Sequence, residues 1–112
     1  MRIAIAGSGG LAQVSAHYIN ETVHPFIILS RQTRPDLESL GYQETVVNYN
    51  NQDDLRFHLR GIDIVISTVS GTPQINVSDA AAHSRVSGNR YPYILHTFYN
   101  LKNYQSYELN HY

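Results

Sequence analysis

Short apolar runs alternate with helical stretches along the first 86 residues. Four runs are rich in aliphatic or β-branched residues, as buried strands are, and they cover residues 2–6, 25–29, 42–49 and 63–69. The intervening segments predict helices over residues 11–20, 51–60 and 74–86, with a loop or short helix over 34–41. Strands that alternate with helices are parallel and are joined by right-handed crossovers. The pattern therefore predicts a doubly wound parallel sheet, an α/β fold of three α/β/α layers with strand order 3-2-1-4.

The composition changes after about residue 86. Residues 87–112 are rich in tyrosine and asparagine and show no clear helical period. Within them, residues 93–99 predict a fifth strand, at the edge of the sheet beside the fourth. We expect residues 100–112 to be irregular or a frayed helix. The sequence thus divides into a folded α/β unit over residues 1–86 and an atypical tail over 87–112.

A glycine-rich turn follows the first predicted strand. Gly7, Gly9 and Ala12 fit the pattern G-x-G-x-x-A between a strand and a helix. In that pattern the first glycine permits a tight turn, the second lets the backbone approach a pyrophosphate, and the small third residue lets the helix pack closely. The helix N-terminus then offers free amides to the anion. The context predicts a Rossmann-like dinucleotide-binding turn, and the alternative is a glycine-rich turn that binds nothing.

The end of the second predicted strand indicates which dinucleotide is bound. NAD-binding units usually place an acidic residue there, where it holds the ribose hydroxyls. This chain instead has Ser30 and Arg31, with Arg34 close behind. Arginine can face a 2′-phosphate and serine can donate a hydrogen bond to it. The sequence therefore favours NADP over NAD, and the alternative is that Arg31 is a solvated loop residue.

Three segments together resemble the NmrA-like family, an atypical short-chain dehydrogenase group that includes isoflavone-reductase-like enzymes. They are residues 3–12, Ile-Ala-Ile-Ala-Gly-Ser-Gly-Gly-Leu-Ala; residues 28–31, Ile-Leu-Ser-Arg; and residues 55–69, which contain Leu-Arg-Gly-Ile-Asp-Ile-Val-Ile-Ser. The likeness covers residues 1 to about 86. It implies NADP binding and, in the enzyme members, reduction of a small organic substrate. The family also contains regulators that bind the dinucleotide without turnover.

The resemblance also implies roles for individual residues. Asn48 stands where the family usually has an acid at the end of the third strand, beside the adenine. The other cofactor-binding positions predicted from the turn, the second strand and the family likeness are Gly7, Ser8, Gly9, Gly10, Leu11, Ala12, Ser30, Arg31, Arg34, Thr68, Val69 and Ser70.

Catalytic residues are not recognisable. The chain has a single lysine, Lys102, and Phe98 stands where a tyrosine would complete the Tyr-x-x-x-Lys pair of short-chain dehydrogenases. We therefore expect a truncated or mis-spliced member that keeps the cofactor site and lacks the catalytic half. The alternatives are a non-catalytic dinucleotide-binding regulatory module and a non-functional fragment.

Composition narrows the other possibilities. The chain has no cysteine and a formal net charge of -1, so disulfides are excluded and no basic surface points to nucleic acid or membrane. No apolar leader follows Met1, and we expect a cytoplasmic location. The six histidines are scattered without metal-ligand spacing, so no metal site is expected. The fourth strand, if unpaired, would favour self-association through its edge.

Overall fold

The computed structural model describes residues 1–84, 92–99 and 105–111. The strands are β1 (Ile3–Ala6), β2 (Phe26–Ser30), β3 (Glu44–Val46), β4 (Ile64–Ser67), β5 (Tyr93–Tyr99) and β6 (Gln105–His111). The helices are α1 (Gly10–Asn20), α2 (Pro35–Ser39), α3 (Gln52–Leu59) and α4 (Thr72–Ala82). The predicted boundary between residues 86 and 87, and Lys102, lie outside the described residues.

A single sheet contains all of the described strands, and β1 lies at its centre. The order is β3-β2-β1-β4-β5-β6. The first five strands are parallel to one another, which confirms the predicted order 3-2-1-4 and the fifth strand contributed by the tail. The carboxyl ends of these strands consequently meet at one edge of the sheet.

The tail differs from expectation in two ways. Gln105–His111 forms β6, which pairs antiparallel with β5, with Tyr93 opposite His111; the expected irregular segment or frayed helix was therefore wrong for these residues. Because β6 lies outside β5, β5 is not the edge of the sheet. Because β5 pairs with β4, β4 has a partner on both sides, and the edge that suggested self-association is covered within the chain.

The two faces of the sheet bury clusters of different composition. One face packs against large side chains of α3 and α4, including Leu55, Leu59 and Val77. The other packs against α1, whose two buried residues are Ala12 and Ala16. Alanine adds little bulk, so α1 lies close to the sheet. This close packing holds the first turn of α1 directly beyond the end of β1.

Helix boundaries agree with local chemistry. The side chain of Asn51 accepts a hydrogen bond from the amide of Asp54 at 3.1 Å and so caps the N-terminus of α3. The last predicted helix begins at Thr72 rather than at residue 74, because Pro73 fits the first turn, where its missing N–H costs nothing. It ends at Ala82, and Ser84 donates its hydroxyl to the Ala80 carbonyl at 2.7 Å. Predicted helical positions 85 and 86 lie outside the described residues.

Candidate functional site

A cleft of about 850 Å³ opens at the carboxyl edge of the sheet. It lies where the order reverses, because β1 is followed by a crossover to β2 on one side and has β4 on the other. Open α/β sheets bind ligands at such switch points. The lining residues are Gly7, Ser8, Gly9, Gly10, Leu11, Ala12, Arg31, Gln32, Arg34, Tyr49, Thr68, Val69, Ser70 and Pro73.

The turn after β1 requires glycine at its first position. Gly7 has a φ of 115°, which L side chains rarely adopt. A Cβ at this position would also collide with Oγ1 of Thr68, in the turn after β4. The Gly7 amide donates to the Leu29 carbonyl at 3.0 Å. The turn after β1 is therefore wedged between the ends of β2 and β4, with no space for a side chain at Gly7.

The next two glycines leave their side of the cleft open. A Cβ at Gly9 or Gly10 would meet no other atom within 4 Å. Gly9 is the N-cap of α1, and this helix start has neither a side-chain cap nor an acidic residue in its first turn. The first amides of α1 are thus left for water or a ligand. An anion there would meet amide donors and the positive end of the helix dipole.

The buried side chain of Tyr49 supports the turn after β1. Its side chain is only 4% exposed, and its hydroxyl donates to the Leu29 carbonyl at 2.6 Å. Burial raises the pKa of Tyr49 to about 12, although the Gly7 backbone and the charge of Arg31 act in the opposite direction. The phenol therefore stays protonated and keeps donating. Leu29 thus accepts from both Tyr49 and Gly7, and this carbonyl ties the ends of three segments together.

Two arginines give the cleft its positive charge, and no aspartate or glutamate is among the described residues that line it. Arg34 donates to Asp36 through Nε at 3.2 Å and Nη2 at 3.0 Å. Beside Asp36, the pKa of Arg34 is raised, and the pKa of Asp36 is lowered by the hydrogen bond from Arg34. Arg31 is exposed, and it makes no ion pair with any residue that the structure describes.

The structure brings most of the predicted site residues to this cleft, with two differences. Ser30 does not reach it: its side chain is only 1% exposed and its hydroxyl is buried without a hydrogen-bond partner in the described chain. Asn48 lies instead in an adjoining cavity of about 450 Å³, which shares Arg31, Tyr49 and Pro73 with the main cleft. The side chain of Asn48 accepts from the Asn50 amide at 2.9 Å.

Sequence reasoning missed Gln32, Tyr49 and Pro73 as lining residues. Tyr49 is one residue beyond Asn48, and strand alternation could have indicated that its side chain points inward. Pro73 required the correct start of α4. None of the three residues belongs to the glycine pattern, so motif reading alone passes over them.

Two negative findings concern the part of the chain that the structure describes. Within residues 1–84, 92–99 and 105–111, no group of three or more histidines, aspartates or glutamates is arranged to hold a metal ion. Within the same ranges, the helices are all too short or too polar to cross a membrane.

Curated relatives of part of the chain are oxidoreductases. No family model matches the chain. It is 36% identical over 70 residues to the oxidoreductase swnR of Metarhizium robertsii, a match of 62% of this chain and 23% of that protein. It is 30% identical over 69 residues to the protein of the same name from Arthroderma benhamiae, covering 22% of it. The chain thus spans about a quarter of the length of these relatives.

Solved structures show the same fold. A leucoanthocyanidin reductase from Vitis vinifera, solved as a complex with NADPH, superposes with a TM-score of 0.62 and 30% identity over 77% of this chain and 32% of its own. A nucleoside-diphosphate-sugar epimerase from Pseudomonas aeruginosa gives a TM-score of 0.69 at 20% identity, over 93% of this chain and 37% of its own. The chain therefore shares its fold with a reductase solved with NADPH and with a nucleotide-sugar epimerase, which fits the resemblance expected from its sequence.

Proposed function

We propose that this chain is the NADP(H)-binding part of an oxidoreductase of the NmrA-like and isoflavone-reductase-like kind. The observation that carries the proposal is the cleft itself. A glycine turn and uncapped helix start lie beside Arg31, an exposed arginine without an ion pair in the described chain. The similar Vitis vinifera reductase was solved with NADPH, which supports the same class of ligand here.

The two halves of the ligand would meet different groups. The pyrophosphate would lie against the amides that begin α1, where Gly9 and Gly10 leave room for close approach. Arg31 lines both the main cleft and the adjoining cavity, which supports a role for its guanidinium at a phosphate on the adenosine ribose. An arginine can form two parallel hydrogen bonds to such a phosphate. The nicotinamide would lie toward Thr68, Val69 and Ser70, at the end of β4.

The proposed preference for NADP over NAD rests on Arg31. We expect Arg31→Ala to weaken NADPH binding by about tenfold or more, because a hydrogen bond to a charged group contributes about 1.5–3 kcal/mol. NADH affinity should change little, because NADH lacks the 2′-phosphate. Isothermal titration calorimetry of the purified chain with each reduced dinucleotide measures both values.

Arg60→Ala is the matched control. This arginine lies over the Phe57 ring, 5.0 Å from its centroid, and does not line the cleft. Arg60→Ala removes one positive charge, as Arg31→Ala does, so a general electrostatic effect would weaken NADPH binding in both variants. Equal losses in Arg31→Ala and Arg60→Ala would contradict the assignment of Arg31. Absence of binding by the unmodified chain would contradict the proposal as a whole.

Turnover belongs to the whole protein and is proposed only for it. The chain covers 23% and 22% of its two curated relatives, and the lining residues named here supply no acid or base suited to hydride transfer. Oxidation of NADPH with a panel of small carbonyl and enone substrates is the measurement. Tight binding without oxidation would instead favour the dinucleotide-binding regulatory module.

A further inference from the structure

We infer that Arg34 is a positioning residue. Its guanidinium is hydrogen-bonded to Asp36 and holds the phosphate-binding turn in place through Ser8. Arg31 is then the cation that meets the 2′-phosphate. This inference rests on the proposed function, because it assigns separate tasks to the two arginines of that site.

The hydrogen bonds of Arg34 all go to other residues of the described chain. Its Nη1 donates to the Ser8 carbonyl at 3.0 Å and to the Ser8 hydroxyl at 3.3 Å. Its Nε and Nη2 both donate to Asp36, and its own backbone amide donates to Glu44 at 3.0 Å. Each guanidinium nitrogen of Arg34 therefore has an acceptor, and a ligand phosphate would find at most one further N–H, on Nη2, beside the carboxylate of Asp36.

Charge distinguishes the two arginines as well. Arg34 lies beside two carboxylates, Asp36 and Glu44, and both raise its pKa. Their negative charge largely compensates its own, so Arg34 offers little net attraction to an anion. Arg31 has no comparable partner in the described chain, and its side chain is exposed at the mouth of the cleft. The free positive charge thus lies at Arg31.

The hydrogen bonds from Arg34 to Ser8 restrain the whole turn after β1. The Ser8 carbonyl accepts from Arg34 and also from Gln13 Nε2 at 3.2 Å. Ser8 stands between Gly7 and Gly9, and glycine backbones are the least restricted in conformation. These side-chain donors therefore supply rigidity that the turn's own sequence does not. Because amide donors bind an anion best when they are already oriented, a loosened turn should lose affinity for the pyrophosphate, which NADPH and NADH share.

The test compares Arg34→Ala, Asp36→Asn and Glu38→Gln in the full chain, titrated with NADPH and with NADH. We expect Arg34→Ala to raise both dissociation constants by about three- to tenfold with their ratio unchanged within twofold. Asp36→Asn should act in the same direction and less strongly. Glu38→Gln removes an exposed charge on the same helix and should change neither constant.

Asp36→Asn also separates this inference from its alternative, in which Arg34 binds the 2′-phosphate directly, because the two predict opposite changes in NADPH affinity. If Arg34 bound the 2′-phosphate directly, freeing it from Asp36 would strengthen NADPH binding relative to NADH, and Arg34→Ala would weaken NADPH alone. Either result would overturn the inference. Arg34→Lys keeps the charge but cannot bridge Asp36 and Ser8 at once, so it should behave as Arg34→Ala does.

Amide hydrogen exchange of the ligand-free chain provides a second readout that does not depend on the cofactor. We expect the amides of residues 8–11 to exchange faster in Arg34→Ala and Asp36→Asn, and at the unmodified rate in Glu38→Gln. Unchanged exchange in the first two variants would overturn the inference. If the unmodified chain binds neither dinucleotide, the proposed function fails, and the exchange rates still decide whether Arg34 holds the turn.

Discussion

Two turns at the same edge of the sheet look alike and differ in their surroundings. The turn after β1 contains Gly7 and leads into α1; the turn after β4 contains Gly71 and leads into α4. Both glycines have positive φ, 115° and 67°, both helices have 11 residues, and neither helix has a side-chain N-cap. A positive-φ glycine and an uncapped helix start are therefore common to both turns.

Their surroundings do distinguish them. A Cβ at Gly7 would strike Thr68, whereas a Cβ at Gly71 would meet nothing within 4 Å. The first turn of α4 contains Pro73, which has no N–H to offer, whereas the first turn of α1 keeps all of its amides. Arg34 donates to the Ser8 carbonyl in the first turn, whereas Arg31 lines the same cleft as both turns. The comparison shows that close packing, free amides and a hydrogen bond from Arg34, rather than glycine itself, set the first turn apart.

The largest expected effect comes from Gly7→Ala set against Gly71→Ala. Both variants introduce a side chain at positive φ, at a cost of about 1–3 kcal/mol. Only Gly7→Ala also forces a Cβ into Thr68, which adds about 1–3 kcal/mol of overpacking. We therefore expect Gly7→Ala to lower the free energy of unfolding more and to abolish NADPH binding. Urea denaturation and calorimetry measure the two effects, and equal destabilisation by both variants would break the comparison.

Tyr49→Phe should have the next largest effect. It removes only the hydroxyl that donates to Leu29, while the Gly7 amide still donates to the same carbonyl. We expect a loss of about 1 kcal/mol in the free energy of unfolding near neutral pH. Urea denaturation at pH 7 measures it, and a loss below about 0.3 kcal/mol would contradict a supporting role for the phenol.

The same residue predicts a dependence of stability on alkaline pH. The pKa of Tyr49 rises from its usual 10.0 to about 12 on folding. Between these values the unfolded chain binds fewer protons than the folded one, so stability is fully present below pH 10 and falls as pH rises toward 12. The slope contributed by Tyr49 approaches about 1.4 kcal/mol per pH unit. It should be missing in Tyr49→Phe, and identical slopes in the two proteins would refute it.

Thr68→Val gives the smallest effect and sharpens the comparison from the other turn. The Thr68 hydroxyl donates to the Ala6 carbonyl at 2.7 Å, and the Thr68 amide donates to the same carbonyl at 2.9 Å. Valine keeps the shape and loses one of these two bonds, so we expect a loss of about 0.5–1 kcal/mol. Thr68→Ser, which keeps the hydroxyl, is the control. In thermal denaturation, the unmodified chain and Thr68→Ser should both have a higher melting temperature than Thr68→Val.

Local pattern determined much of the fold. The four apolar runs predicted β1 to β4 in the correct order, because buried parallel strands are apolar throughout and their crossovers have one hand. The glycine pattern predicted the turn that lines the cleft. The Asn51 cap was predictable because capping is an interaction within one helical turn. These features depend on residues that are neighbours along the chain.

Contacts between separate secondary-structure elements decided the rest. The sequence of Gln105–His111 is polar and carries no strand pattern, and it becomes β6 only because β5 is present to pair with it. Ser30 was predicted at the cleft and is buried, because the alternation of β2 turns its side chain to the face that α1 covers. Strand pairing and side-chain burial both depend on which elements become neighbours in the folded chain.

The division between sequence and tertiary structure is clearest at the two arginines and at Tyr49. The sequence by itself determined that Arg31 and Arg34 follow the second strand and that the glycine turn follows the first. Only the tertiary structure decided that Arg34 meets Ser8, 26 positions away, and that Tyr49 meets Leu29, 20 positions away. The physical reason is that charge and conformational preference belong to a residue, whereas its partners are set by which strands lie side by side.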